Sequence, residues 1–219
     1  MKILIVSATT FEVAPLFRQL GISLSDEKKV FSSAHNNNTI DFLITGVGMV
    51  ATAYHSTKGL LATKYDLAIN IGICGSFNKN LEIGTVVNVY HDCFSELGAE
   101  DGNDFLSLKD LNLPGKSEFT GETLFKNKEL DTLPKVNGIT VNTAHGNENS
   151  INKVYEKFHP IVESMEGAAF MMVCSEEKVP YVQIRAVSNF VELRNKNNWN
   201  IPLAIENLNH KIFDILNSI

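Results

Sequence analysis

The chain has 219 residues and a mass of 24.2 kDa, a length expected for one domain and not for two. With 44% apolar and 20% charged residues and a mean hydropathy of −0.02, it can bury a real core, which argues against disorder over most of its length. Nineteen basic against 25 acidic residues give a net charge of −6, and the three arginines (Arg18, Arg185, Arg194) leave little capacity for gripping phosphates, so nucleic-acid and anionic-membrane partners are disfavoured.

In chain order, residues 2–6 form a continuous apolar run, the pattern of a strand buried on both faces. This run is too short for a signal peptide, and Glu12 interrupts any extension, so it reads as the first strand of a cytoplasmic protein. A helical pattern opens at Thr9, carries Phe11, Ala14, Phe17 and Leu20, and closes at Gly21. Residues 30–33 and 40–45 predict two strands joined by a turn at Asn36, Asn37 and Asn38. Gly46-Val47-Gly48 leads into a helix over about 50–62. A buried strand follows over 67–71 and is expected to break at Gly72 and Gly75. Residues 85–90 are rich in β-branched side chains and read as another strand.

From about 92 to 129 the pattern weakens into acidic residues, Gly and Pro, which predicts loops and an irregular elaboration. Residues 138–142 suggest a strand, and Ile151, Val154, Tyr155 and Phe158 sit at helical spacing. Ile161-Val162 runs into helix formers near Met165, and 181–187 is a strand. The tail from Pro202 is an amphipathic helix with Ile205, Leu208, Ile212, Ile215 and Ile219 on one stripe. Alternating strands and helices across residues 1–219 predict a single α/β domain with a largely parallel, covered sheet. No apolar stretch is long enough to span a bilayer. Cys74, Cys93 and Cys174 form no C-x-x-C and read as buried thiols of a reducing compartment.

Ligand sites in open α/β sheets gather at the carboxyl ends of strands. Residues 7–12, 46–48, 72–75 and 188–189 occupy such places. Each also has a plain reading. The G-x-G lacks the third glycine of a dinucleotide fingerprint, Ala51 standing there. Glu12 could serve only the helix dipole, and Asn189 could be a turn residue. The six histidines show no metal-ligand spacing, and in His91-Asp92-Cys93 successive side chains point apart, so no metal is expected.

The combination says more than its parts. Glu163-Ser164-Met165-Glu166-Gly167-Ala168-Ala169 is followed by Arg185-Ala186-Val187-Ser188-Asn189 and preceded by Glu12, Gly46-Val47-Gly48 and Asn70-Ile71-Gly72-Ile73-Cys74-Gly75. In this order and spacing the residues resemble the purine nucleoside phosphorylase/hydrolase superfamily, and its methylthioadenosine/S-adenosylhomocysteine nucleosidases in particular. The resemblance covers roughly residues 1–20, 42–75 and 161–190. Three positions depart from those nucleosidases: Asn189 stands for Asp, Ile73 for Ser, and Met49 for a common Lys. Residues 188–195, 199–202 and 97–101 look like futalosine hydrolases, a family that cleaves hypoxanthine from futalosine in a menaquinone route.

The resemblance implies a three-layer α/β/α fold around a twisted mixed, largely parallel sheet. It implies that Glu12 activates water, Met165 packs against the ribose, and Glu166 accepts from ribose hydroxyls. Arg185 would support the side chain at 189, and Gly75 and Ser188 would join the substrate-binding set. Trp199, with Ile201 and Phe94, would line an apolar slot for the 5′ group, and Arg194 or Lys196 would meet its carboxylate. Residues 194–199 read equally well as a solvated loop. No cofactor is implied. A homo-oligomer, a dimer or larger, is expected, with residues 92–102 as a candidate contribution to a neighbour's 5′ pocket.

At position 189 physics helps choose the base. A carboxamide offers a donor to a ring carbonyl and an acceptor for a protonated N7–H, the pattern of a 6-oxopurine. Water is the expected nucleophile, because a phosphate dianion beside Glu12 would need cationic clamps that this stretch lacks. The alternatives are a methylthioadenosine-type nucleosidase, a nucleoside phosphorylase, and a non-catalytic nucleoside-binding or storage protein of the same fold.

Overall fold

The computed structural model describes residues 1–23, 25, 29–121 and 125–219. The apolar runs become strands: β1 (Lys2–Ser7), β4 (Leu67–Ser76), β5 (Val86–Phe94) and β11 (Tyr181–Phe190). Between β1 and β4 lie α1 (Thr10–Gln19), the hairpin β2 (Val30–His35) and β3 (Asn38–Ile44), and α2 (Met49–Ala62). Asn36 and Asn37 take φ of 49° and 63°, the left-handed conformations that a two-residue hairpin turn requires. After β5 come β6 (Gly98–Asp101), β7 (Asp104–Ser107), β8 (Glu118–Thr120), α3 (Lys128–Asp131) and β9 (Lys135–Thr140). Then α4 (Glu148–Phe158), β10 (Val162–Ser164) and α5 (Gly167–Glu176) lead to β11, and α6 (Ile201–Asn217) closes the order.

Among the described residues one mixed sheet has the order β10-β9-β5-β11-β4-β1-β3-β2, with β8 on β5. The pairs β1–β3, β1–β4, β4–β11, β5–β9 and β9–β10 are parallel. The pairs β2–β3, β5–β11, β5–β8 and β4–β10 are antiparallel. Because β10 pairs with both β9 and β4, the strands β4, β11, β5, β9 and β10 close into a ring.

The alternation of side chains along β1 splits the core. Ile3 and Ile5 join Val13, Leu16 and Phe17 of α1 and Leu208 and Ile212 of α6. Leu4 and Val6 join Ala168, Phe170 and Met171 of α5 on the other face. Helices therefore cover both faces, giving three layers.

Two expectations need correction. The strand at Leu67 does not stop at Gly72 but runs through Gly72 and Gly75 to Ser76. Its two glycines are places where other side chains press against the strand. The stretch 92–129 is also more regular than its composition implied. There β5 extends to Phe94, β6 and β7 pair as a hairpin, and β8 joins β5; residues 122–124 of this stretch lie outside the described residues. All four residues of β6, Glu100 and Asp101 among them, are exposed, so this strand carries the composition of a loop.

Among the described residues no helix is long and apolar enough to cross a membrane. Cys74, Cys93 and Cys174 are free and buried.

Candidate active site

The turn from β1 into α1 places Glu12. Thr9 caps α1: its hydroxyl accepts from the Glu12 N–H at 3.4 Å, while the Glu12 carboxylate accepts from the Thr9 N–H at 3.0 Å. This reciprocal capping satisfies the N–H groups of Thr9 and Glu12 at the start of the helix. The same carboxylate reaches further. Its Oε2 accepts from the hydroxyls of Ser7 and Thr9, both at 3.1 Å, and its Oε1 accepts from the Ile73 N–H of β4 at 3.3 Å. Burial raises the Glu12 pKa above its ordinary value, and the nearby Glu166 carboxylate adds to the rise. Arg185, the Ile73 N–H and the Ser7 hydroxyl oppose it.

Glu166 sits between β10 and α5. Its Oε1 accepts from the Gly48 N–H at 3.0 Å, and its Oε2 lies 3.6 Å from Nη1 of Arg185. Gly48 has φ of 96°, so the second glycine of the G-x-G supplies a backbone conformation that aims its N–H at this carboxylate.

Arg185, on β11, is 1% exposed and donates through Nη2 to Oδ1 of Asn70. The Asn70 amide in turn donates to the Val6 carbonyl at 3.0 Å. Arg185 therefore braces the Glu12–Glu166 pair and not the side chain at 189, contrary to the expected role. The partners of Asn189 are local: Oδ1 accepts from the Ser188 hydroxyl at 2.8 Å, and Nδ2 donates to the Phe190 carbonyl at 3.0 Å. The register between β11 and β4 shifts between Val187 and Asn189, leaving Asn189 opposite Gly75. A Cβ on Gly75 would lie 3.3 Å from Nδ2 of Asn189 and 3.5 Å from Cγ of Glu163. Ser188 is buried and its hydroxyl also reaches the Cys74 carbonyl at 3.1 Å.

Glu12 and Asn189 thus address the same short piece of β4. One holds the N–H of Ile73 and the other lies against Gly75, two residues along, a rise of roughly 7 Å. Met165, half-buried next to Glu166, packs on the apolar cluster of Cys93, Ile139, Val141 and Val154.

The residues expected near the 5′ group are not all brought together. Arg194 is exposed, its guanidinium 5.1 Å over the Trp199 ring, and its Cβ lies 3.3 Å from where a Cβ on Gly146 would be. The Asn200 N–H donates to the Ser188 carbonyl at 2.8 Å, which ties this segment to the end of β11. Lys196 is exposed in a short 3₁₀ turn and Ile201 is half-buried at the start of α6. Phe94 instead lines a separate apolar cavity of about 290 Å³ with Met49, Val50, Ala53, Ala169 and Met172, and Trp199 is not part of that lining.

Three supports stand within the motifs quoted above, but the sequence assigns them no role. Asn70 and Gly72 lie inside an apolar strand, where nothing local shows what they touch. A Cβ on Gly72 would strike the Arg185 guanidinium and come 2.9 Å from Oε1 of Glu12. The buried Glu163 accepts from the His145 backbone N–H at 3.0 Å and pairs with its Nδ1 at 2.7 Å, across 18 residues of chain. The capping pair Thr9 and Glu12, in contrast, carries the T-x-x-E signal in the sequence.

Comparison with known proteins places this arrangement. A model of the phosphorylase superfamily matches residues 2–216. A futalosine hydrolase of Acidothermus cellulolyticus is 28% identical over 190 residues, covering 82% of this chain and 76% of the relative. A 5′-methylthioadenosine/S-adenosylhomocysteine nucleosidase of Glaesserella parasuis is 27% identical, covering 100% of this chain and 99% of the relative. In fold, the chain is similar to the Neisseria meningitidis nucleosidase of that name, solved with methylthio-immucillin-A (TM-score 0.83, 16% identity, 100% and 99% coverage). It is equally similar to the futalosine hydrolase of Helicobacter pylori (TM-score 0.83, 14% identity, 100% and 98% coverage). On the strength of a family match that spans nearly its whole length, the chain belongs to the phosphorylase superfamily.

Proposed function

We propose that the chain is an N-ribosyl hydrolase that releases hypoxanthine from futalosine, a step of menaquinone synthesis, in the cytoplasm. The observation that carries the nucleosidase reading is the convergence of Glu12, Arg185 and Glu166 at the strand ends. Cleaving the glycosidic bond passes through a sugar cation, which needs negative charge nearby, a base for water and a grip on the ribose. Glu12, with its pKa raised by burial, suits the base. Glu166, held by Gly48 and Arg185, suits the ribose hydroxyls. Met165 beside it would pack on the sugar.

Asn189 supports a 6-oxopurine. Its Oδ1 keeps a second lone pair and its Nδ2 a second hydrogen beyond the local bonds to Ser188 and Phe190. These would accept from N7–H and donate to O6. The arginine in the cluster already engages Asn70 and Glu166, which favours water over phosphate.

The apolar cavity lined by Met49, next to Gly48, and Ala169, one turn beyond Glu166, would take the 5′ group. A homodimer is the assembly we favour, because Val50, Tyr54 and Leu61 are exposed on one side of α2, next to this cavity. A methylthioadenosine/S-adenosylhomocysteine nucleosidase is the second reading; it is favoured by a relative of that name that matches over the full length.

Incubation with futalosine, its 6-amino analogue, methylthioadenosine and inosine, with and without phosphate, tests the reading. Free hypoxanthine and an unphosphorylated sugar from futalosine are expected in both conditions. A sugar 1-phosphate, or adenine released faster, would refute it.

A further inference from the structure

Helix α1 carries Pro15 in its interior, three residues past Glu12. A proline there removes one rung of the helical ladder, and its ring crowds the carbonyl four residues back, which bends the helix and loosens the next rung. That next rung joins the Leu16 N–H to the Glu12 carbonyl. The side chain of Asn209, from α6, enters at this place. Its Oδ1 accepts from the Leu16 N–H at 3.0 Å, and its Nδ2 donates to the Glu12 carbonyl at 2.8 Å and to the Ile205 carbonyl at 2.7 Å.

Asn209 is 0% exposed, inside the apolar contact between α1 and α6, where an amide is tolerated only if its groups are bonded. The same helix is tied at its other end to the base side of the site, through the Asn200 N–H and the Ser188 carbonyl at 2.8 Å. From Asn200 to Asn209 the helix spans about 14 Å. One rigid element thus holds the backbone of Glu12 and the residue next to Asn189.

We infer that Asn209 is a positioning residue for Glu12: it splices the helix that Pro15 interrupts and so fixes where the carboxylate stands. The inference rests on reading Glu12 as the base that activates water.

The test compares Asn209→Leu, Pro15→Ala and the double variant. With Asn209→Leu, kcat for base release falls on the order of tenfold or more, KM stays within about twofold, and the acidic limb of the kcat profile moves. That limb belongs to Glu12, with Glu166 and Arg185 facing it and Ser7, Thr9 and Ile73 bonded to it. Pro15→Ala in the same chain lets the helix close its own rungs, and kcat recovers. A merely structural amide would lower Tm while leaving kcat per folded protein and the pH limb unchanged, and that result overturns the inference. So does a double variant no more active than Asn209→Leu.

If Asn209→Leu does not fold, the double variant against Pro15→Ala alone gives the same comparison: equal kcat is expected, and a remaining tenfold loss overturns the splice. A wild type that releases no base from any nucleoside would refute the site reading instead. The Glu12 carboxyl titration, followed by ¹³C NMR, still judges the splice in that case: a shifted titration in Asn209→Leu supports it and an identical one overturns it.

Discussion

Arg185 fills the space that a side chain on Gly72 would occupy. Its guanidinium lies against the bare α-carbon of the neighbouring strand, and the Glu12 carboxylate closes on the same spot. Gly72 is therefore part of the site although it bears no functional group. Gly72→Ala forces the guanidinium off Asn70 and Glu166, at roughly 1–3 kcal/mol of overpacking. The variant is expected to fold with a lowered Tm and to lose base release more than a hundredfold (about 3 kcal/mol). Full activity would show that Arg185 is not needed where it stands.

Glu12 has two duties, capping α1 and addressing β4, and one substitution separates them. Glutamine still completes the capping pair with Thr9, so Glu12→Gln is expected to keep its Tm within a degree or two. It cannot take a proton from water, so kcat should fall by roughly 10²–10⁴ while the substrate still binds. In the wild type the acidic limb of kcat/KM is expected above the ordinary glutamate range, because burial and Glu166 raise the Glu12 pKa. Isothermal calorimetry with Glu12→Gln and a pH profile of the wild type check both points. Retained turnover would favour a plain capping role.

Behind the site, Asp92 is wholly buried and accepts from Thr140 at 3.0 Å and Gln183 at 3.0 Å, while Thr140 also accepts from the Ala168 N–H at 2.7 Å. This network steadies the first turn of α5, directly after Glu166. Burial raises the Asp92 pKa to about 6, against the opposing pull of Gln183, Thr140 and Arg185. A carboxyl with a raised folded pKa favours the folded state when protonated. Its contribution is therefore fully present below the unfolded value near 3.8 and is lost as pH rises through about 6. Asp92→Asn should thus stabilise the protein at about pH 7.5, on the order of 2 kcal/mol, and gain little at about pH 4. Denaturant midpoints of both proteins at the two pH values measure this; a variant weaker at neutral pH would mean that ionised Asp92 is held favourably.

What the sequence disclosed follows from how each residue earns its place. Strands β1, β4 and β11 are buried on both faces, so their apolar runs stand out, and Glu12 and Asn189 could be located at a helix start and a strand end from local pattern, whereas Glu166 stood out through the family resemblance. The true end of β4 was hidden because Gly72 and Gly75 look like breakers, when each is small to admit a side chain from elsewhere. Asn70, Glu163 with His145, and Asn209 depend on contacts across 115, 18 and 197 residues, and no spacing rule spans such distances. Strand β6 was obscure for a different reason: exposed at all four residues, it carries the charged composition of a loop.

The amide at 189 offers the most direct measurement. We compare kcat/KM for futalosine and for its 6-amino analogue in the wild type and in Asn189→Asp. The wild type should favour the 6-oxopurine by about a hundredfold or more, because a buried donor–acceptor mismatch is strongly rejected, and Asn189→Asp should shrink or reverse that ratio. Equal rates on both substrates, or a ratio unmoved by the substitution, would contradict the assignment of Asn189 to the purine.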